Sequence, residues 1–309
     1  MIKILKEGKT KDFQTHVDLP KSEEQSINWQ NSNRSWWEKN PMRYDFTEKI
    51  PFKEFTKEFY EEIDRRFFAS VWEFMPWKDI PFDPLIDFNL LSNQNILEIG
   101  VGNGSHAQLL AQKAHSYTGI DITKYAVQSS GKRLDLLGCN GEIICMDAES
   151  MEFDDNTFDF IWSWGVIHHS SNTQKVLEEI YRVLRPGGKV ITMVYHRSPW
   201  NTYVRGLLYY GILRGGLLKG KSLTEIIQDS TDGALARYYT INEWKATLSN
   251  LFNIEKNVVY GHKQQLIPLG HSKTKDFLIS LIPNSLGRFI TNRPFFGFHL
   301  VTIFYKKAI

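Results

Sequence analysis

Three glycines at alternate positions, Gly100, Gly102 and Gly104, follow the apolar run Asn95–Ile99 and precede a helical pattern that begins at Ser105. Without Cβ atoms they let the chain turn sharply and let a ligand approach the backbone at the N-terminus of the next helix. A dinucleotide fingerprint needs glycines in G-x-G-x-x-G spacing to seat a pyrophosphate. Counted from Gly100, the third position is Ser105. A carboxylate at Glu98 would also stand beside that pyrophosphate, so a cationic, amine-bearing ligand suits the turn better. Asp121 closes the next apolar run about 20 residues on, the distance expected of a ribose-diol acceptor. Asp147, in Asp147-Ala148-Glu149, closes the third run within reach of a base. Three carboxylates without a cation disfavour NADP and favour S-adenosylmethionine.

Histidines supply the other candidate chemistry. His168 and His169 follow the fourth apolar run and His196 the fifth, where an imidazole could act as a general base. Adjacent histidines cannot easily share one metal ion, and no His/Cys/Asp cluster accompanies them, so no metal is expected. The plainer readings are pocket lining for His168-His169 and ordinary turn hydrogen bonding for His196. For Asp147 the plainer reading is capping of the following segment.

The elements that must position these groups are legible as alternating strands and helices. Asn95–Ile99, Ser116–Ile122, Glu142–Cys145, Phe158–Ser163 and Lys189–Tyr195 read as strands. Ser105–His115, Thr123–Leu137 and Thr173–Leu184 read as helices. That order predicts parallel β–α–β units. Ile254–Tyr260 and Phe298–Tyr305 are two further strands, and Thr240–Phe252 a helix capped by Thr240 or Asn242. Upstream, Phe55, Phe59, Ile63, Phe67 and Val71 recur every four residues, an amphipathic helix. The polar stretch before it carries Trp29, Trp36 and Trp37, and the arm with Trp36, Trp37 and Tyr44 reads either as a hydrophobic clamp or as a lid that excludes water.

The stretch from Ile96 to Val194 resembles the class I S-adenosylmethionine-dependent methyltransferases of the ubiquinone/menaquinone-methyltransferase-like (type 11) superfamily. The resemblance lies in Leu97-Glu98-Ile99-Gly100-x-Gly102-x-Gly104, in Asp121, in Asp147-Ala148-Glu149 and in Trp164-Gly165-Val166-Ile167-His168-His169. It continues through Glu179-Ile180-Tyr181-Arg182-Val183-Leu184-Arg185-Pro186-Gly187-Gly188. It implies a doubly wound, Rossmann-like α/β fold with a seven-stranded sheet whose last strand is antiparallel. It also implies S-adenosyl-L-methionine as cofactor, held by Glu98, Gly100, Gly102, Gly104, Asp121, Ile122, Asp147, Ala148 and Trp164. No Asn/Asp-Pro-Pro-Tyr follows the fourth strand, so DNA or glutamine amino-methylation is not expected. Residues 1–90 are expected to form an N-terminal aromatic arm and helical extension. Residues 91–309 then hold the methyltransferase domain, with cap insertions at about 198–240 and 261–296.

Bulk properties narrow the partners. A net charge of +2 with 23% charged residues gives no broad basic surface for nucleic acid. Met1–Gln14 lacks a signal-peptide core, and no apolar run reaches about 20 residues. The two cysteines, Cys139 and Cys145, read as buried reduced thiols, which places the chain in the cytoplasm. The expected acceptor is a small molecule. A lipid-like or quinone acceptor is the second reading, because residues 204–221 are apolar and basic without an acid, a composition suited to a membrane interface. A packed cap helix is the plainer account of that segment. Two rivals stand outside this class: a nicotinamide oxidoreductase, and a non-catalytic donor-binding scaffold.

Overall fold

The computed structural model describes residues 8–10, 12–45, 48–269 and 272–307, so most of the Met1–Gln14 expectation falls outside the described residues. Helix α1 (Glu23–Lys39) and helix α2 (Lys57–Phe74) come first. There follow β1 (Asn95–Ile99), α3 (Ser105–Ala111), β2 (Ser116–Asp121), α4 (Lys124–Leu137), β3 (Glu142–Cys145), β4 (Phe158–Trp164), α5 (Thr173–Val183) and β5 (Leu184–His196). The first insertion holds a π-helix (Trp200–Leu213), α6 (Leu223–Asp229) and the two-residue β6 (Tyr238–Tyr239). Next come α7 (Ile241–Ser249) and β7 (Phe252–Tyr260). The second insertion holds α8 (Lys273–Ser280) and α9 (Asn284–Thr291), and β8 (His299–Lys306) ends the order.

The sheet runs β3-β2-β1-β4-β5-β8-β7, with β6 paired to β5 off this path. Strands β1 to β5 are parallel, and β8 lies antiparallel between β5 and β7. The expected seven strands form the continuous path, and β6 raises the count to eight. It was invisible in the sequence because only Tyr195–Tyr238 and His196–Tyr239 pair.

Alternation along the strands splits the core in two. Ile96, Phe160, Trp162, Ile191 and Met193 face one way and pack with Phe67, Val71 and Phe74 of α2. Leu97, Ile161, Val190 and Val194 face the other way and pack with α5 and α7. Side-chain oxygens start the helices that carry the site. Thr123 accepts from the Ala126 N–H and Asn172 from those of Gln174 and Lys175. Thr240 forms a capping box with Glu243, so Asn242 lies within the helix rather than at its cap.

The cysteines depart from expectation. Cys145 is exposed and Cys139 only partly covered, because β3 is an edge strand and Cys139 lies just past the end of α4.

Candidate active site

A cavity of about 380 Å³ opens at the carboxyl ends of the central strands, a size usual for small-molecule sites. Its floor is the glycine turn. Gly100 has φ +82°, and a Cβ there would lie 2.2 Å from Val166 Cγ2. Gly102 has φ +54°, and the space its Cβ would take is open within 4 Å. At Gly100 the glycine allows packing, and at Gly102 it leaves backbone bare beside the cavity. A partly buried ion pair between Arg133 and Asp64 braces the turn from behind. Arg133 Nη1 also donates to the Asn103 carbonyl at 2.9 Å, and Asp64 accepts from Ser105 at 2.7 Å. Helix α2 is thereby fixed to the donor loop.

The acidic residues are held in different ways. Asp121 lines the cavity, accepting at one oxygen from the Thr123 N–H and hydroxyl (2.9 and 2.8 Å) and at the other from the Gly102 N–H (3.2 Å). Burial raises its pKa against those bonds. Asp147 lines the cavity too, with both oxygens held by the Gln30 side-chain amide at 2.8 and 3.0 Å and one also by the Glu149 N–H. The turn-capping contact and the cavity position therefore coexist in Asp147. Ile122, Ala148 and Trp164 also line the space.

Glu98 does not. It is 1% exposed beneath the turn and takes the Tyr117 hydroxyl at 2.7 Å, and burial pushes its pKa up to about 8. The carboxyl expected beside the ligand therefore lies beneath the lining, where burial favours its protonated form. Gly104 also lies outside the lining, as the N-cap of α3 against Ser130 and Arg133.

The histidines separate by geometry. His169 lines the cavity, and its Nδ1 lies 2.7 Å from the Leu235 carbonyl. A carbonyl can only accept, so Nδ1 carries the proton and Nε2, which has no partner, keeps its lone pair. Burial lowers its pKa, with the Asp232 charge opposing. His168 is fully buried with both ring nitrogens unpartnered, packed on Tyr195 (4.1 Å between ring centres) and His169 (4.2 Å). It does not reach the cavity. His196 is also outside, bonded through Nδ1 to the Gly297 carbonyl at 2.9 Å. Strand alternation gives the reason: Tyr195, one residue earlier on β5, points into the cavity, so His196 points away.

Four groups meet at the far end, and three of them, Asp232, His262 and His299, carried no sequence signal. Tyr195 donates to Asp232 at 2.7 Å, and burial beside that carboxylate raises its pKa well above the usual value. His262 and His299 line the same end. Burial depresses His262 to about 4 and His299 well below its ordinary value. Tyr44, Phe67, Phe74, Trp164 and Met193 complete an aromatic chamber, and no Lys or Arg lines the cavity among the described residues.

Helix α1 roofs both ends. Gln30 joins Asp147 to the Ser171 N–H, Glu38 accepts from the Lys124 and Tyr125 N–H groups, and Trp37 stands edge-on to His169 at 5.1 Å. Trp29 and Trp36, 3% and 5% exposed, anchor it.

A glycine turn with acidic residues at the next two strand ends defines a nucleoside-binding α/β domain. Comparison with known proteins refines this: the family model described as a methyltransferase domain matches residues 97–192. Phosphoethanolamine N-methyltransferase 1 of Arabidopsis thaliana is 30% identical over 155 residues, covering 47% of this chain and 32% of the relative. The phthiotriol/phenolphthiotriol dimycocerosates methyltransferase of Mycobacterium tuberculosis is 35% identical over 100 residues, covering 32% of this chain and 36% of the relative. The matched region thus spans about a third of the length of these curated relatives. The crystal structure of a SAM-dependent methyltransferase from Methanosarcina mazei superposes with a TM-score of 0.49 at 20% identity, covering 73% of this chain and 98% of that one.

Over residues 97–192 the chain is thus similar to methyltransferase domains, and the methyl donor that this similarity points to is S-adenosylmethionine. The lining fits it: two carboxylates stand at strand ends, bare backbone at Gly102, and among the described residues no Lys or Arg lines the cavity to oppose a sulfonium.

Proposed function

We propose that the chain transfers a methyl group from S-adenosylmethionine to an uncharged, largely apolar small molecule, at oxygen, nitrogen or carbon. The observation that carries this is the continuity of the cavity, which joins the glycine turn to an aromatic chamber without Lys or Arg. A phosphorylated acceptor, such as the one named for the plant relative, would find no cation there to receive it. In this reading residues 1–90 cover a domain at 91–309, and the two unpaired thiols fit a reducing, cytoplasmic setting.

When bound, the donor supplies an electrophilic methyl on a sulfonium. Asp121 and Asp147 would hold its ribose and adenine, beside Gly100, Gly102, Ile122, Ala148 and Trp164. Trp37 and Trp164 offer aromatic faces to positive charge. Because the methyl is already activated, the protein's work is orientation and exclusion of water. Helix α1 excludes water, and the Tyr195–Asp232 pair fixes the polar end of the acceptor. Where the nucleophile must lose a proton, His169 is assigned to take it, because its Nδ1 is held by the Leu235 carbonyl and its Nε2 has no hydrogen-bond partner. His168 would support it by packing, and His196 would take no part.

A lipid-like acceptor is the second reading, favoured by the chamber's apolar walls and by the basic, apolar 204–221 segment. Turnover separates the acceptor classes: purified protein, S-adenosylmethionine and a panel of apolar alcohols, phenols and amines beside phosphorylated analogues, read as S-adenosylhomocysteine formed. Product from uncharged members alone is expected. Preference for phosphorylated members would overturn the acceptor assignment.

A further inference from the structure

Thirteen of the twenty exposed large apolar side chains among the described residues fall in two segments, 203–218 and 269–295. On the π-helix, Tyr203, Leu208 and Ile212 recur at spacings of five and four, one face of an i→i+5 helix, and all are exposed. Leu213 and Leu218 are 77% and 92% exposed. In the second insertion Phe277 and Leu281 of α8 and its following turn, and Phe289 of α9, are each 63–65% exposed. An apolar concentration of this kind marks a docking surface.

The two segments meet at their roots, beside the exposed stretches. Trp200 at the head of the π-helix donates its indole N–H to the Gln265 carbonyl at 2.7 Å and its backbone N–H to Phe295 at 3.0 Å, and it stacks near Phe296. Charge distinguishes what covers them. Residues 203–221 carry Arg205, Arg214, Lys219 and Lys221 with no acid. Residues 269–296 carry Lys273, Lys275, Arg288 and Arg293 against Asp276 alone. Lys221 is neutralised by Asp229 and Lys275 is spent on the Leu269 carbonyl, whereas Arg214, Lys219, Lys273 and Arg293 remain exposed among the apolar groups. A second copy of this chain would bring the same positive charge against it. Exposed Leu and Phe rimmed by Lys and Arg instead match the headgroup region of an anionic bilayer.

We propose that the two insertions together form a membrane-docking face that binds anionic lipid surfaces. The face is independent of the proposed reaction, but its place bears on it. Helix α9 packs on the end of α2, with Asn292 donating to the Phe74 carbonyl at 2.8 Å and Arg288 to that of Glu73. Phe74 lines the acceptor end of the cavity, so a docked bilayer lies beside the end that receives the acceptor.

The test is co-sedimentation of the full chain with vesicles of phosphatidylcholine alone and of phosphatidylcholine with phosphatidylglycerol. The partner variant carries Leu213→Glu, Leu218→Glu and Phe289→Glu, all exposed and outside the cavity. Binding to the anionic vesicles at low salt, at least about tenfold weaker in the variant and weakened by added salt, is expected. The variant should keep wild-type Tm and S-adenosylmethionine affinity, which separates loss of docking from loss of fold or donor site. Absence of anionic-vesicle binding by the wild type, equal binding by the variant, or a wild-type dimer that the variant dissolves without vesicle binding would each overturn the proposal.

Discussion

At the residue scale the site depends on one tautomer. His169 is oriented by the Leu235 carbonyl and faces Asp232 and Tyr195 across the acceptor end. Its lowered pKa keeps the ring neutral through physiological pH, the form a base requires. For an acceptor that must lose a proton, His169→Ala should lower kcat by about 100-fold and leave donor affinity within about twofold, because acid–base assistance is lost and donor contacts are not. The sign of the pH dependence follows. Protonation removes the lone pair, so the wild-type rate should be flat above the ordinary histidine value and fall only in more acid solution. Turnover against pH, with donor titration on the same variant, checks both. Donor binding lost together with turnover would make His169 structural. The sequence placed three histidines here without order among them. Strand alternation turns His196 away from the cavity and His168 falls outside its lining, and neither can be read without knowing which way a strand end faces.

At the scale of elements, the β–α–β core was legible because each strand is a short apolar run and each helix has a side-chain cap. Glu142–Cys145 and Asn95–Ile99 match the expected bounds to the residue. Helix α1 was not legible as a helix. Its inward positions are Ser26, Trp29, Asn33 and Trp36, a helical spacing half filled by polar groups. Their burial comes from tertiary partners: Ser26 meets the Ser171 hydroxyl at 2.8 Å, and Trp29 packs on Phe13 and Leu235. Asp232 was equally hidden, since it enters from an insertion without periodic pattern. Because Gln30 clamps Asp147 and the Ser171 N–H at once, the cover and the donor end are coupled. Gln30→Ala should weaken S-adenosylmethionine binding by roughly tenfold, the worth of one or two hydrogen bonds to a charged group. Calorimetric titration measures it, and an unchanged affinity would mean that α1 covers the site without shaping it.

Across the whole molecule, an aromatic content of 14% is concentrated in three places: the anchors of α1, the chamber at the acceptor end, and the exposed face of the insertions. The matched family region supplies the donor end, whereas α1, α2 and the residues beyond β5 supply most of the acceptor end. The motifs thus point to the donor, whereas the proposed acceptor rests on the assembled cavity alone. Among the described residues no helix is long and apolar enough to cross a membrane. The proposed reaction requires the donor end to be a working S-adenosylmethionine site. Isothermal titration of the intact chain with S-adenosylmethionine, S-adenosylhomocysteine and NADH, beside Asp121→Ala of verified Tm, tests that directly. Micromolar binding of the first two, weakened about 10- to 100-fold in the variant as charge-assisted hydrogen bonds are lost, is the predicted result. Tight NADH binding with no response to either sulfur nucleoside would contradict it.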